Sequence, residues 1–425
     1  MKKVLIISPH FPPSNLTAVH RARFFARHLT KFGWEPTILT VHEKFYEEKL
    51  DHNLEKLVPQ NIRIEKVNAI PVGKPRLIGD IGLRAFFSMY KKAKTLVRQQ
   101  KIDFVYIIIP SFYGALWGRW LHFTTGVKYG IDYIDPWVHE FAGFKKKMSR
   151  AWWATKVSGL LEPIAVKHAS LITGVAESYY QGVIKRNTRL KQKTKFLAIP
   201  FGSENADYEK LRELKLAPYL FKNNKSSFKL VFAGAMQPKA YTSLEQIFSY
   251  IKNNPEAFDT IEFHFIGSGK NANDPDGYNI KPMAIKYDLW QTMVFEYPKR
   301  IPYLDVLVHL NAADAVFILG SIEAHYAPSK VYQAVLSQKP VLAILHQQST
   351  AVAVLRNSGA GFVISFETEK ELEEKILQLT QLFTQFRHFV KNFNPAQVNK
   401  KDFEQYSAEN ITGMLAGMLN EVTDN

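Results

Sequence analysis

The chain has 425 residues, enough for two or three domains that each bury a core, and its 46% hydrophobic and 22% charged residues exclude a disordered or fibrous polymer. It contains no cysteine, which removes disulfides, thiolate metal sites and cysteine nucleophiles. The formal charge of +16 is one-sided: residues 1–200 hold 33 of the 55 basic residues and 14 of the 39 acidic ones. A basic half of this kind suits an anionic surface, a nucleic acid or a phosphorylated substrate, unless it is simply a solvated face with no partner.

The opening KVLIIS run ends at Pro9, too soon for a signal-peptide core, and no run of about 18 apolar residues follows anywhere, so a cytoplasmic chain is expected. The runs KVLIIS (Lys3 to Ser8), PTILTV (Pro36 to Val41), DFVYIII (Asp103 to Ile109) and VKYGID (Val127 to Asp132) read as buried parallel strands. Between the first two, Phe24, Phe25, His28, Leu29 and Phe32 share one face of a helix predicted from Ala18 to Phe32 and stopped by Gly33. SLITGV at Ser170 and KFLAIP at Lys195 continue the series, and a polar stretch from Ser203 to Ser227 interrupts it. A second series starts with FKLVFAG at Phe228 and runs through IEFHFIG, TMVFEYP, DAVFILG, PVLAIL and GFVISF at Gly361.

The fold class expected is α/β, with two Rossmann-like doubly wound domains facing across a cleft, 1–202 and 203–400. A C-terminal helix over 401–425, patterned by Ile411, Leu415 and Leu419, is expected to pack on either domain, the return to the first being one of the two options.

Walker A, HExxH, GxSxG and GxGxxG sequences are all absent, and GSG at Gly267 to Gly269 is a weak strand-end signal. The informative stretch is ILGSIEAHYAPSKVYQAVLSQKPVLAIL, where Pro328, Ser329 and Lys330 fall between a strand and a helix. Such a turn is either a site for a diphosphate or simply a helix start packed on a sheet.

This stretch resembles the donor-binding segment of GT-B glycosyltransferases, family 4 in particular. The resemblance extends along nearly the whole chain: ISPHFPPSN, Arg21, HLTKFGWEPTILT, the DxxDPW-like YGIDYIDPW, SLITGVAESY, IPFGSE, FAGAMQPKAY, FHFIGSG and NAADAVFILG occur in the family's order. It implies a retaining glycosyltransferase that moves a sugar from a nucleotide-sugar, by family frequency a UDP-sugar, to a lipid-linked or polysaccharide acceptor in cell-surface glycan biosynthesis. The departing diphosphate is then met by cations and backbone donors.

Carried over position by position, the resemblance places Gly234, Ala235, Ser329, Val331 and Gln333 on the donor, with Gly267 at a further strand-end turn and Lys239 and Lys330 as catalytic cations, unless Lys239 is a solvated loop lysine. Glu323, two residues before the family position at His325, is the nearest carboxylate offered to the donor. Asp135 is the third catalytic candidate, orienting an acceptor hydroxyl, while Ser14, Asn15, Arg21 and His139 are expected on the acceptor. Family members commonly carry two glutamates where this chain has His325 and Gln333, which leaves open a nucleotide-sugar-binding protein without transfer. The same residues are compatible with a nucleotide-sugar epimerase of this fold, and the basic half, more remotely, with a nucleic-acid-binding protein.

Asp132 and Asp135 are either site carboxylates or turn caps, and Asp274 to Asp276 reads as a turn, so no metal and no cofactor is expected. FKKKMSRAWWATK, residues 144–156, sets lysines beside Trp152 and Trp153, and Leu83 to Arg98 mixes Phe86, Phe87, Met89 and Tyr90 with cations. Both suit an anionic membrane surface, on the inner face of the cytoplasmic membrane, or else a core-facing stripe with solvated lysines. No nucleic-acid module is recognised.

Overall fold

A computed structural model describes residues 1–73, 78–109, 111–138, 146–222, 227–324, 326 and 328–424. The chain divides into two compact units, Met1–Gly202 with Ala408–Asn425, and Ser203–Ser407.

In the first unit the chain runs β1 (Lys2–Ile7), α1 (Thr17–His28), β2 (Trp34–Val41), β3 (Arg63–Val67), α2 (Ile81–Arg84), α3 (Phe86–Gln100), β4 (Phe104–Ile109) and α4 (Ala115–Thr125). It continues through β5 (Lys128–Tyr133), α5 (Arg150–Val166), β6 (Leu171–Gly174), α6 (Glu177–Arg186) and β7 (Lys195–Ala198). All strands pair in parallel in the order β3-β2-β1-β4-β5-β6-β7. Helices on both faces explain the apolar strand runs: all six residues of β4 are buried.

The second unit holds α7 (Asn205–Glu213), β8 (Phe228–Ala233), α8 (Ala240–Asn253), β9 (Ile261–Ile266), α9 (Lys281–Lys286), β10 (Val294–Tyr297), α10 (Tyr303–Ala312) and β11 (Ala315–Leu319). It ends with α11 (Lys330–Leu336), β12 (Val341–His346), α12 (Thr350–Ser358), β13 (Gly361–Phe366), α13 (Glu369–Leu377), α14 (Leu379–Asn392) and α15 (Lys400–Glu404). Its parallel sheet has the order β10-β9-β8-β11-β12-β13. Both units are therefore doubly wound, with strand order reversing beside β1 and beside β8.

The last helix, α16 (Ala408–Asp424), returns to the first unit and lies on α1. Ile411, Leu415 and Leu419 are fully buried in one cluster with Phe24 and Trp34. Trp34 Nε1 donates to Asn420 Oδ1 at 3.0 Å, and Lys195 pairs with Glu421 at 2.6 Å.

Three features differ from the sequence expectation. The helix begun in α1 stops at His28, and Leu29–Phe32 form a 3-10 turn closed by Gly33. The single helix expected over 401–425 is broken at 405–407, where Ser203 N–H donates to the Tyr406 carbonyl at 2.9 Å, so the second unit extends to Ser407. β3 and α7 were not anticipated: RIEKV is an edge strand with partly exposed charges, and α7 lies in the polar stretch between the two strand series.

Candidate functional site

Two glycines shape the switch point of the second sheet. β8 runs into Gly234 at φ 99° and β9 into Gly267 at φ 70°, backbone conformations that a side chain resists. Gly234 N–H donates to the Ile266 carbonyl at 2.7 Å, and a Cβ on Gly267 would stand only 3.8 Å from the Gly234 Cα. The two strand ends thus bring backbone without side chains together at close range.

The segment after β11 delivers Lys330 onto this platform. Its Nζ sits 3.7 Å from the centroid of the Phe232 ring and donates to the Ala235 carbonyl at 3.1 Å. Burial, followed by the positive charge of Arg300, pulls the amine down to about 7. Among the described residues no carboxylate pairs with Lys330.

Lys239 and Glu323, expected as a catalytic cation and a donor ligand, come together as an ion pair at 3.0 Å. The Glu323 N–H donates to Ser321 Oγ at 3.3 Å, which holds the chain ahead of residue 325. Ser329 precedes α11 without capping it through its side chain. Val331 is buried, and its N–H donates to the Pro328 carbonyl at 3.2 Å. Gln333 is half-buried, and its carbonyl accepts from the Tyr208 hydroxyl at 2.8 Å.

Sequence reasoning missed Phe232, Arg300 and Glu296. Glu296 is buried and accepts from Ser268 Oγ and from the N–H groups of Asn279, Ile280 and Lys281, fixing the loop between β9 and α9 beside Gly267. No sequence signal marks these residues, because what joins them is distant loops. The Asp274 to Asp276 turn closes on itself, with Asp276 N–H on Asp274 Oδ1 at 2.9 Å. Among the described residues no group of three or more His, Asp or Glu could hold a metal.

In the first unit the expected acceptor residues behave differently. Arg21 is buried: its Nε and Nη2 meet Asp132 at 2.5 and 2.9 Å, and Nη1 donates to the Pro200 carbonyl at 2.8 Å. Burial works against the guanidinium charge, but Asp132 outweighs it and raises the pKa. Thr173 donates to the same carboxylate at 2.7 Å, so Asp132 is a hub joining α1, β5 and β6. Arg21 is thereby committed to the interior and corrects the expectation of a ligand-facing arginine.

Ser14 is also buried, its hydroxyl donating to Glu48, which lies 2.8 Å from His10 Nδ1. Burial pushes the Glu48 carboxyl up, but His10 and Ser14 outweigh it and hold it at about 2. Ser14 therefore secures the loop after β1 and does not face an acceptor. Asn15 is half-buried next to it and Asp135 is exposed after β5, while His139 and His325 lie outside the described residues.

No family model matches the sequence, and no curated protein does. Solved structures do match over the full length. Sucrose-phosphate synthase from Thermosynechococcus elongatus is similar at a TM-score of 0.63 and 11% identity, with all of both chains covered. Anabaena Alr3699/HepE, solved with UDP and glucose, gives 0.63 at 14% identity, covering 99% of this chain and 100% of that one. A glycosyltransferase from Rickettsia africae gives 0.62 at 14% identity over 100% and 99%. With two parallel sheets of seven and six strands, the chain has the α/β fold of the GT-B glycosyltransferases.

Proposed function

We propose that this protein is a retaining glycosyltransferase that takes a sugar from a UDP-sugar and passes it to a lipid-linked or polysaccharide acceptor in cell-surface glycan biosynthesis, acting in the cytoplasm. The observation that carries the reading is Lys330, an amine held at about 7 beside Arg300 and above two glycine turns, with no carboxylate partner among the described residues. Support comes from HepE, whose structure holds UDP on the same fold.

In this reading the second unit binds the donor and the first unit the acceptor. The diphosphate lies against Gly234, Ala235 and Gly267, where absent side chains let the backbone approach. Lys330 gains a proton as the anion arrives and keeps it as negative charge grows on the leaving group, with Arg300 adding to the field. Lys239 exchanges its Glu323 partner for phosphate, releasing Glu323 toward the sugar or ribose, while Gln333 offers a neutral hydrogen bond to the ribose. Asp135 orients the acceptor hydroxyl. The charge is met by protein cations, so the reading invokes no metal.

The test is thermal stabilisation by UDP-, GDP-, dTDP-, ADP- and CMP-sugars of the wild type and of Lys330→Ala and Lys239→Ala. Stabilisation by the UDP class, lost in Lys330→Ala, is expected. An absence of stabilisation by every nucleotide at millimolar concentration refutes the reading.

A further inference from the structure

α3 packs on α4, and α4 on α5, forming a layer over one face of the first sheet. The inward sides of these helices carry Phe86, Met89, Trp117 and Leu121, all buried in the core. Their outward side is unusual for water: Phe87 is 74% exposed, Trp120 38% and Phe123 79%, and on α5 Leu160 reaches 71%. Phe87 and the half-buried Tyr90 stand against Trp120 at centroid separations of 6.5 and 5.6 Å, and the core ring Phe86 backs Trp120 at 5.0 Å. Trp153 and Ile164, each 49% exposed, stand in line with Leu160 at helical spacing.

Cations stand among these rings. Arg119 lies 6.0 Å from the Phe123 centroid, Lys94 5.8 Å from Tyr90 and Lys156 5.7 Å from Trp152. Lys91, Arg98, Lys146 and Lys147 are exposed on or beside the same helices. α3 and α4 contain no acidic residue, and the one carboxylate of α5, Glu162, is buried and paired with Arg186 at 2.7 Å. The layer thus offers apolar rings and positive charge with no exposed carboxylate on its helices.

We infer that this face lies on an anionic phospholipid surface, with Phe87, Trp120, Phe123 and Leu160 seated at the acyl boundary and the lysines and arginines at the headgroups. Charge complementarity selects this occupant: exposed rings alone would suit another protein, and cations alone a nucleic acid, whereas rings interleaved with cations match a charged interface. None of the described helices is long and apolar enough to cross a membrane. The inference deepens the transferase reading by naming where a lipid-linked acceptor is met, and it rests on that reading only for the acceptor.

The sequence pattern points to a related but shifted set. Phe86 and Met89 are core residues, Arg84 is buried on backbone carbonyls and Lys92 is paired with Glu65, while α4 supplies rings that the pattern does not single out.

The test is flotation of the full chain with vesicles of phosphatidylcholine alone or mixed equally with phosphatidylglycerol. Binding to the mixed vesicles only, weakened by salt, is expected. Phe87→Ser with Phe123→Ser should weaken it by about tenfold for each ring removed, and Lys91→Gln with Arg119→Gln by roughly fivefold for each charge. All four positions are at or near the surface, so the variants should melt with the wild type and respond to UDP-sugar as it does. That response separates the two proposals: its absence with vesicle binding intact counts against the transferase reading alone. No binding to mixed vesicles, binding unchanged in both variants, stronger binding to duplex DNA or RNA, or a dimer broken by the same substitutions each overturns the inference.

Discussion

Replacing Lys330 with methionine removes the amine and keeps an apolar stem over the Phe232 ring. In the folded chain the amine titrates at about 7, against 10.5 for an ordinary lysine. The native state therefore holds this proton more weakly than the unfolded state does. The resulting cost to folding is fully present below pH 7, shrinks as pH rises, and is gone above about 10.5. The side chain is half-buried and water relaxes part of the penalty, so Lys330→Met should stabilise the free protein by about 1–2 kcal/mol at about pH 6 and by nothing measurable near pH 10.5.

A diphosphate reverses the balance. It favours the charged amine, so at about pH 8, where roughly nine-tenths of the amines are neutral, binding should draw in close to one proton. UDP-sugar affinity should fall about tenfold between about pH 6 and pH 8. Calorimetric titration in buffers of different ionisation enthalpy measures the uptake, and Lys330→Met should show none of it. Equal proton uptake in both proteins, or none in the wild type, refutes the placement of this amine against the diphosphate.

Gly234→Ala should lower stability by about 1–2 kcal/mol, from the left-handed backbone and a Cβ only 3.3 Å from Lys330 Cε, and should weaken nucleotide binding as well. Chemical denaturation and the same titration read the two effects. Arg21→Met leaves Asp132 buried without its partner and should cost about 3–5 kcal/mol, whereas Arg21→Met with Asp132→Leu should recover much of the loss, as urea melts of the two variants would show. Leu415→Ala in α16 should cost about 2–5 kcal/mol and lower the melting temperature of the first unit although it lies at the far end of the sequence.

The parallel sheets could be read in the sequence because a strand covered on both faces must be apolar along its whole length, as FVYIII is. The RIEKV edge strand escaped for the converse reason: an edge facing water keeps its charges. At the site, Lys330 is marked by its Pro-Ser-Lys turn, but Phe232 and Arg300 matter only because strand ends nearly 100 residues apart converge. Arg21 was misplaced for a similar reason, since its carboxylate lies 111 positions away and no local pattern announces the pairing. Phe86 and Phe87 show the limit at its finest: one belongs to the core and its neighbour to the surface, and a composition window cannot separate two adjacent rings on a helix.

The return of α16 to the first unit makes the second unit an insertion in the chain order of the first. During synthesis, residues 1–202 emerge with α1 and the neighbouring strands β6 and β7 lacking the helix that packs on them, and that helix follows only after the whole second unit has been made. At a translation rate of about 5–20 residues per second the delay is roughly 10–40 s. Throughout that interval Phe24, Trp34 and their neighbours lack the side chains of Ile411, Leu415 and Leu419, whereas the second unit has its complete sequence as soon as it leaves the ribosome. The later half of the polypeptide is thus able to finish folding before the earlier half, and nascent chains stalled before residue 408 should expose an apolar face to chaperones that the completed protein hides.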